Sequence, residues 1–172
     1  MGSGSGELHA TQTACHPLSR VGSMLYPVCS MSANTTELTS TQREELIATA
    51  KRAYEHAYVP YSNFRVGAAI LLENGQVFSG CNVENASFGL TNCAERTAIF
   101  TAVSALGAKQ VRIRAVAVVN DRDVACSPCG ACRQVMSEFG ASADVFYLGP
   151  KGIQHSSMRE LLPNCFGSES LA

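Results

Sequence analysis

The chain has 172 residues, 46% of them apolar, and a formal charge of −1 at pH 7. That length suits one domain with a real core and argues against two. A near-neutral chain without Trp lacks the basic stripe and the stacking platform of a polynucleotide binder, so a small, weakly charged ligand fits better.

Residues 1–37 differ from the rest. They open with Gly2-Ser3-Gly4-Ser5-Gly6, a linker composition, and then keep neither a helical nor a strand period. They read as a disordered tail, tag or leader, and residues 38–172 as a single domain. Eight cysteines would suit a secreted disulfide framework. The start, however, lacks the basic and apolar regions of a signal peptide, and no stretch nears the roughly 20 apolar residues of a membrane span. The expected location is cytoplasmic, with thiols reduced or bound to metal.

Thr41-Gln-Arg-Glu44 forms a capping box and predicts a first helix that ends before Pro60. The apolar run Val66–Leu72 predicts a buried strand. Asn74-Gly75 predicts a hairpin turn, with Val77–Cys81 returning antiparallel. A polar loop over 82–92 leads into a second helix, residues 93 to about 105, with Gly107 just past its end. Ile113–Asn120 is the third strand, 129–139 the third helix, and 145–148 the fourth strand. A turn at 149–152, a short strand near Ile153 and a last helix over 157–162, stopped by Pro163, complete the chain. Strands three and four each follow a helix, which predicts parallel pairing by crossover. The expected fold is α/β, a three-layer α-β-α arrangement on a mixed sheet of about five strands.

Two motifs carry chemistry: Cys93-Ala94-Glu95-Arg96 and Pro128-Cys129-Gly130-Ala131-Cys132, each at the start of a predicted helix. Together they match the known three-cysteine signature of zinc deaminases that act on nucleobases. The physics agrees with it. A catalytic zinc keeps three protein ligands and one open position. Cys129 and Cys132 lie one turn apart on one helix face. Helix N-termini favour thiolates. Three thiolates overbalance the charge of Zn2+, and Arg96, three residues after Cys93, can draw charge back from sulfur. The plainer reading of Arg96 is a solvated surface residue.

Glu95 separates an enzyme from a structural zinc knot. Two positions after a ligand, it can take a proton from metal-activated water and return it to the substrate. Alone it would read as a first-turn acid stabilised by the helix dipole. Cys126 also forms a Cys-x-x-Cys pair with Cys129, but Pro128 starts the helix after it, so Cys126 is read as a bystander. Cys81 and Cys165 read as small buried hydrophobes. A fourth thiol ligand would close the site and end the enzyme reading.

With these residues in place, the chain resembles the cytidine deaminase family, the small homotetrameric type. The likeness spans about residues 41–171. It rests on Tyr61-Ser-Asn-Phe-Arg-Val-Gly-Ala-Ala69, Gly80-Cys-Asn-Val-Glu-Asn-Ala86, Cys93-Ala-Glu-Arg-Thr-Ala98, Ser127-Pro-Cys-Gly-Ala-Cys-Arg-Gln134, Leu161-Leu-Pro163 and Phe166-Gly167. The resemblance implies one Zn2+ per subunit on Cys93, Cys129 and Cys132. It implies Phe64 against the nucleoside, Asn82 and Glu84 on the ribose hydroxyls, Ala94 backbone on the pyrimidine, and the Ser127 carbonyl on the amine. It further implies a homotetramer in which Phe166 reaches a neighbouring subunit's base. Two positions depart from the family: Phe88 stands where Tyr is common and Arg65 where Pro is frequent.

The expected reaction is hydrolysis of cytidine and deoxycytidine to uridine and deoxyuridine, with ammonia released, in pyrimidine salvage. A zinc-bound hydroxide attacks C4 while Glu95 serves N3 and then the amine. The expected partner is a small nucleoside, with no polynucleotide and no membrane. Rival readings are a deaminase of another cytosine-bearing nucleoside, of the blasticidin type, and a structural zinc module. Polynucleotide editing is weakened by the near-neutral charge.

Overall fold

The computed structural model describes residues 19–21, 24–26 and 37–171. β1 (Ser19–Val21) pairs antiparallel with β2 (Met24–Tyr26). The remaining expectations for residues 1–36, including any role for Cys15 and Cys29, lie outside the described residues.

Helix α1 runs Ser40–Tyr54. Its capping box is Thr39 with Gln42, not Thr41 with Glu44: the Thr39 hydroxyl accepts from Gln42 N at 3.2 Å, and Gln42 Oε1 accepts from Thr39 N at 3.1 Å. Both stretches have the sequence form of a box. The upstream one wins because each residue added to an existing helix brings a further backbone hydrogen bond.

Five strands form the main sheet: β3 (Val66–Leu72), β4 (Val77–Cys81), β5 (Ile113–Asn120), β6 (Asp144–Gly149) and β7 (Gly152–Ser157). Their order is β4-β3-β5-β6-β7. β5 and β6 pair parallel, with Val116 opposite Val145; the other neighbours pair antiparallel. The remaining helices are α2 (Ala94–Leu106), α3 (Gly130–Gly140) and α4 (Met158–Leu161).

The two faces of β3 and β5 explain their continuous apolar sequences. Ala69, Leu71, Ala117 and Val119 pack under Leu46 and Ala50 of α1. Ala68, Ile70, Val116 and Val118 pack under Ala98 and Ile99 of α2 and Met136 of α3. The three-layer α-β-α expectation with a mixed five-stranded sheet therefore holds.

Two details differ from expectation. β7 is six residues long and pairs with β6 along its whole length, from Asp144 opposite Ser157 to Gly149 opposite Gly152. The last helix correspondingly shrinks to Met158–Leu161, capped by Ser157 and Glu160. β7 is an edge strand, largely exposed and polar, so no apolar alternation marks it in the sequence.

Gly67 and Gly80 let helices lie directly on the sheet. A Cβ at Gly67 would overlap the carbonyl oxygen of Ala50 in α1, and one at Gly80 would overlap backbone of α2 at Ala98. Gly67→Ala is expected to destabilise the fold by about 3 kcal/mol, because backbone on both sides cannot give way. Urea denaturation checks this, and an unchanged midpoint would sink the close-approach account.

Candidate metal centre

Cys93 and Cys129 are not first-turn residues. They are the N-caps of α2 and α3, with extended backbones at ψ 156° and 165°. Neither thiol is spent on capping hydrogen bonds. Cys132 follows in the first turn of α3 and is fully buried. The three Sγ atoms lie within 4.8 Å of one another, and Cys93 Sγ is 4.0 Å from Cys129 Sγ. Tetrahedral zinc with Zn–S bonds of about 2.3 Å sets sulfurs about 3.8 Å apart. The cluster fits that ion with little movement, and thiolates are the donors zinc takes most readily.

The electrostatics favour negative charge on one sulfur, that of Cys93. Cys93 is pulled down to about 5 by its hydrogen bond with the Cys132 thiol and by Arg96, whose Nη2 lies 3.6 Å from Cys93 Sγ. Cys132 is pushed up, because it shares that hydrogen bond with Cys93 and because it is buried. Arg96 Nη2 also donates to Thr91 O at 3.0 Å, while its buried Nε finds no partner among the described residues. Arg96 thus faces sulfur and is not the solvated surface residue of the plainer reading.

Glu95 is 4% exposed. Burial raises its carboxyl above the ordinary range, and the Cys93 anion adds to the rise. A first-turn acid serving only the helix dipole would sit in water; this one is buried close to Cys93 and Cys132.

Cys126 stands apart from the cluster. Its backbone N–H donates to Leu148 O at 2.7 Å, and burial pushes its thiol up, with Glu95 and the sulfurs adding to the shift. Cys81 in β4 and Cys165 near the C-terminus are half-buried and also outside the cluster.

Of the other expected site residues, hydrogen bonds tie Asn82 to the Phe64 segment and Glu84 to the turn just before it. Asn82 Oδ1 accepts from Val66 N and its Nδ2 donates to Phe64 O, both at 2.8 Å. Glu84 Oε2 accepts from Tyr61 N at 2.9 Å and Ser62 N at 3.2 Å. The Ser62 hydroxyl, followed by those amides, holds its carboxyl below the usual range. Val83 exchanges two backbone hydrogen bonds with Asn92, which ties this segment to the residue before Cys93. A cavity of about 360 Å³ opens here, lined by Tyr61, Ser62, Glu84, Phe88 and Thr91. Ala94, the first residue of α2 after Cys93, is fully buried. Phe166 is 59% exposed, so it is no core residue; its carbonyl accepts from Gln134 Nε2 at 2.8 Å.

Sequence reasoning gave no role to Arg133. Its Nε donates to Pro128 O at 2.7 Å, its Nη1 to Leu161 O at 2.9 Å and its Nη2 to Ser127 Oγ at 3.0 Å. It clamps the turn that presents Cys129 and ties it to α4. The available signal was its place one residue after Cys132.

Comparison with known proteins agrees with this geometry. Residues 40–148 match the family model described as "Cytidine and deoxycytidylate deaminase zinc-binding region". A cytidine deaminase of Sporosarcina psychrophila is 50% identical over 131 residues, covering 75% of this chain and 94% of that protein. The crystal structure of a cytidine deaminase from Burkholderia pseudomallei superposes with a TM-score of 0.66 at 46% identity, over 75% of this chain and 100% of that one. The cytidine deaminase structure from Mycobacterium tuberculosis gives 0.63 at 42% identity, over 73% and 97%. Among the described residues, no helix is long and apolar enough to cross a membrane. The chain therefore belongs to the cytidine and deoxycytidylate deaminase family of zinc-binding hydrolases.

Proposed function

We propose that this chain hydrolyses cytidine and deoxycytidine to uridine and deoxyuridine, releasing ammonia, in cytoplasmic pyrimidine salvage. In this reading Cys93, Cys129 and Cys132 hold one zinc ion per subunit. The observation that carries it is a buried carboxyl, Glu95, beside a cluster of three sulfurs that no fourth described side chain joins.

When bound, zinc supplies a water acidic enough to act as the nucleophile near neutral pH. Glu95 accepts the proton that the attacking water gives up. Burial raises its carboxyl above the ordinary range, which suits it to take up a proton. Glu95 then delivers it to N3 of the cytosine ring, takes the proton of the hydroxyl now on C4, and gives that second proton to the amino group, which leaves as ammonia as the C4 carbonyl forms. Arg96 steadies the Cys93 sulfur and limits the surplus negative charge. Backbone at Ala94 and the Ser127 carbonyl hold the pyrimidine and its amine, while Phe64 packs against the base.

Asn82 and Glu84 suit the ribose. Asn82 spends its oxygen and one N–H on backbone, leaving the other N–H to donate. Glu84 anchors Oε2 on two amides, leaving Oε1 to accept from a hydroxyl. A site whose polar groups are fixed in this way discriminates against analogues lacking the hydroxyl it binds, and the 3′-hydroxyl that cytidine and deoxycytidine share lets both be substrates.

We further propose a homotetramer with Phe166 completing a neighbour's site. Exposed Phe88 (75%), Leu90 (71%), Phe166 (59%) and Phe100 (48%) are large apolar side chains that a neighbouring subunit would cover.

The test is ammonia release from cytidine and deoxycytidine, with ultraviolet absorbance following loss of the amine. Turnover is expected with both, and a zinc chelator is expected to abolish it. No ammonia from either nucleoside with zinc-loaded protein would overturn the reading.

A further inference from the structure

The turn at residues 61–64 is held from two sides. Its amides at Tyr61 and Ser62 point to the Glu84 carboxylate. Its carbonyls point the other way, to Arg122: Arg122 Nη2 donates to Asn63 O at 2.7 Å and to Ser62 O at 3.3 Å. The same guanidinium lies over the Phe64 ring, with Cζ 5.4 Å from its centroid. Asn63 is in the left-handed region, φ 52°, which turns those carbonyls outward.

Arg122 sits on the loop between β5 and α3, upstream of Ser127 and Cys129. That loop is rigid at its root. Asn120, 2% exposed, donates from Nδ2 to Val124 O at 2.8 Å and accepts at Oδ1 from Arg122 N and Val124 N. Asp121 clasps the neighbouring turn: Asp121 N donates to Arg65 O at 3.1 Å, and Asp121 Oδ1 accepts from Arg65 N at 3.2 Å. That second bond needs an N–H at position 65, which a Pro there would lack.

We propose that Arg122 is a positioning residue that fixes the Phe64 wall of the nucleoside pocket against the loop carrying Ser127. The inference rests on the reading of Phe64 as a substrate-packing residue. Arg122 touches no reacting atom. It acts through the Phe64 ring, which the hold on the Ser62 and Asn63 carbonyls keeps in its binding geometry before substrate arrives, so its loss weakens binding of ground state and transition state alike.

The experiment measures kcat and KM for cytidine, zinc content and thermal midpoint in Arg122→Met, Arg122→Lys, Phe64→Leu and the Arg122→Met/Phe64→Leu pair. Arg122→Met is expected to raise KM about tenfold with kcat within about twofold. Zinc content and midpoint stay at wild-type values. Arg122→Lys recovers part of the loss by keeping the cation over the ring. In the Phe64→Leu background, Arg122→Met adds less than about threefold, because it acts through the missing ring. A wild-type KM in Arg122→Met overturns the proposal, as does a full tenfold effect persisting without the Phe64 ring. A lowered midpoint with KM intact also overturns it, since that is a purely structural role. A wild-type KM in Phe64→Leu itself instead refutes the pocket reading on which the proposal stands.

Discussion

Glu95→Gln lowers kcat for cytidine by about 10⁴-fold while zinc stays bound at one ion per subunit. The swap keeps the shape of the side chain and removes its capacity to carry a proton. Glu95 is asked to act more than once in each turnover, first as base and then as acid, so the loss falls at the upper end of what a single acid–base group contributes. Stability should not suffer. Burial already disfavours the charged carboxylate in this position, and a neutral amide avoids that cost. Zinc analysis alongside steady-state kinetics checks the prediction. Turnover near the wild-type rate with full zinc would remove Glu95 from the mechanism.

Cys132→Ser is expected to empty the metal centre and abolish turnover, whereas Cys126→Ser keeps both. Cys132 is fully buried in the cluster, where a hydroxyl is a far weaker zinc donor than a thiolate and has no water to satisfy it. Cys126 lies in the same short stretch, with the same Cys-x-x-Cys spacing to Cys129. It nevertheless stands outside the group of three sulfurs, its backbone held by Leu148. Metal content of the two purified variants separates the ligand from the bystander. Zinc retained in Cys132→Ser, or lost in Cys126→Ser, would reverse the assignment.

The parts of the fold that bury apolar surface were legible in the sequence. β3 and β5 are covered on both faces, and their unbroken Val, Ile, Leu and Ala runs say so. The hairpin turn at Asn74-Gly75 and the parallel β5–β6 crossover around α3 followed from local turn chemistry and chain handedness. β7 was under-read because an exposed edge strand needs no apolar pattern; its backbone bonds to β6 carry it. The cap of α1 was misplaced by two residues because two overlapping boxes compete, and sequence form alone does not rank them.

At the site, a known motif with spacing that suits two helix starts made Cys93, Cys129 and Cys132 legible as a cluster, with Glu95 and Arg96 next to Cys93 in the chain. The clamps could not. Arg133 reaches from α3 to Leu161, and Arg122 reaches across to the turn at Ser62 and Asn63, 60 and 59 residues upstream. Nothing local in an Asp-Arg-Asp stretch points to a carbonyl so distant in the chain. Such contacts depend on how β3 and β5 lie side by side, which only the fold supplies.

The whole account depends on zinc held by three sulfurs with a fourth position left to solvent or substrate. X-ray absorption at the zinc edge of the intact protein measures this directly. The account predicts three sulfur scatterers at about 2.3 Å and one lighter oxygen or nitrogen scatterer near 2.0 Å. Four sulfurs at a single distance would mean a closed, structural site and would contradict it.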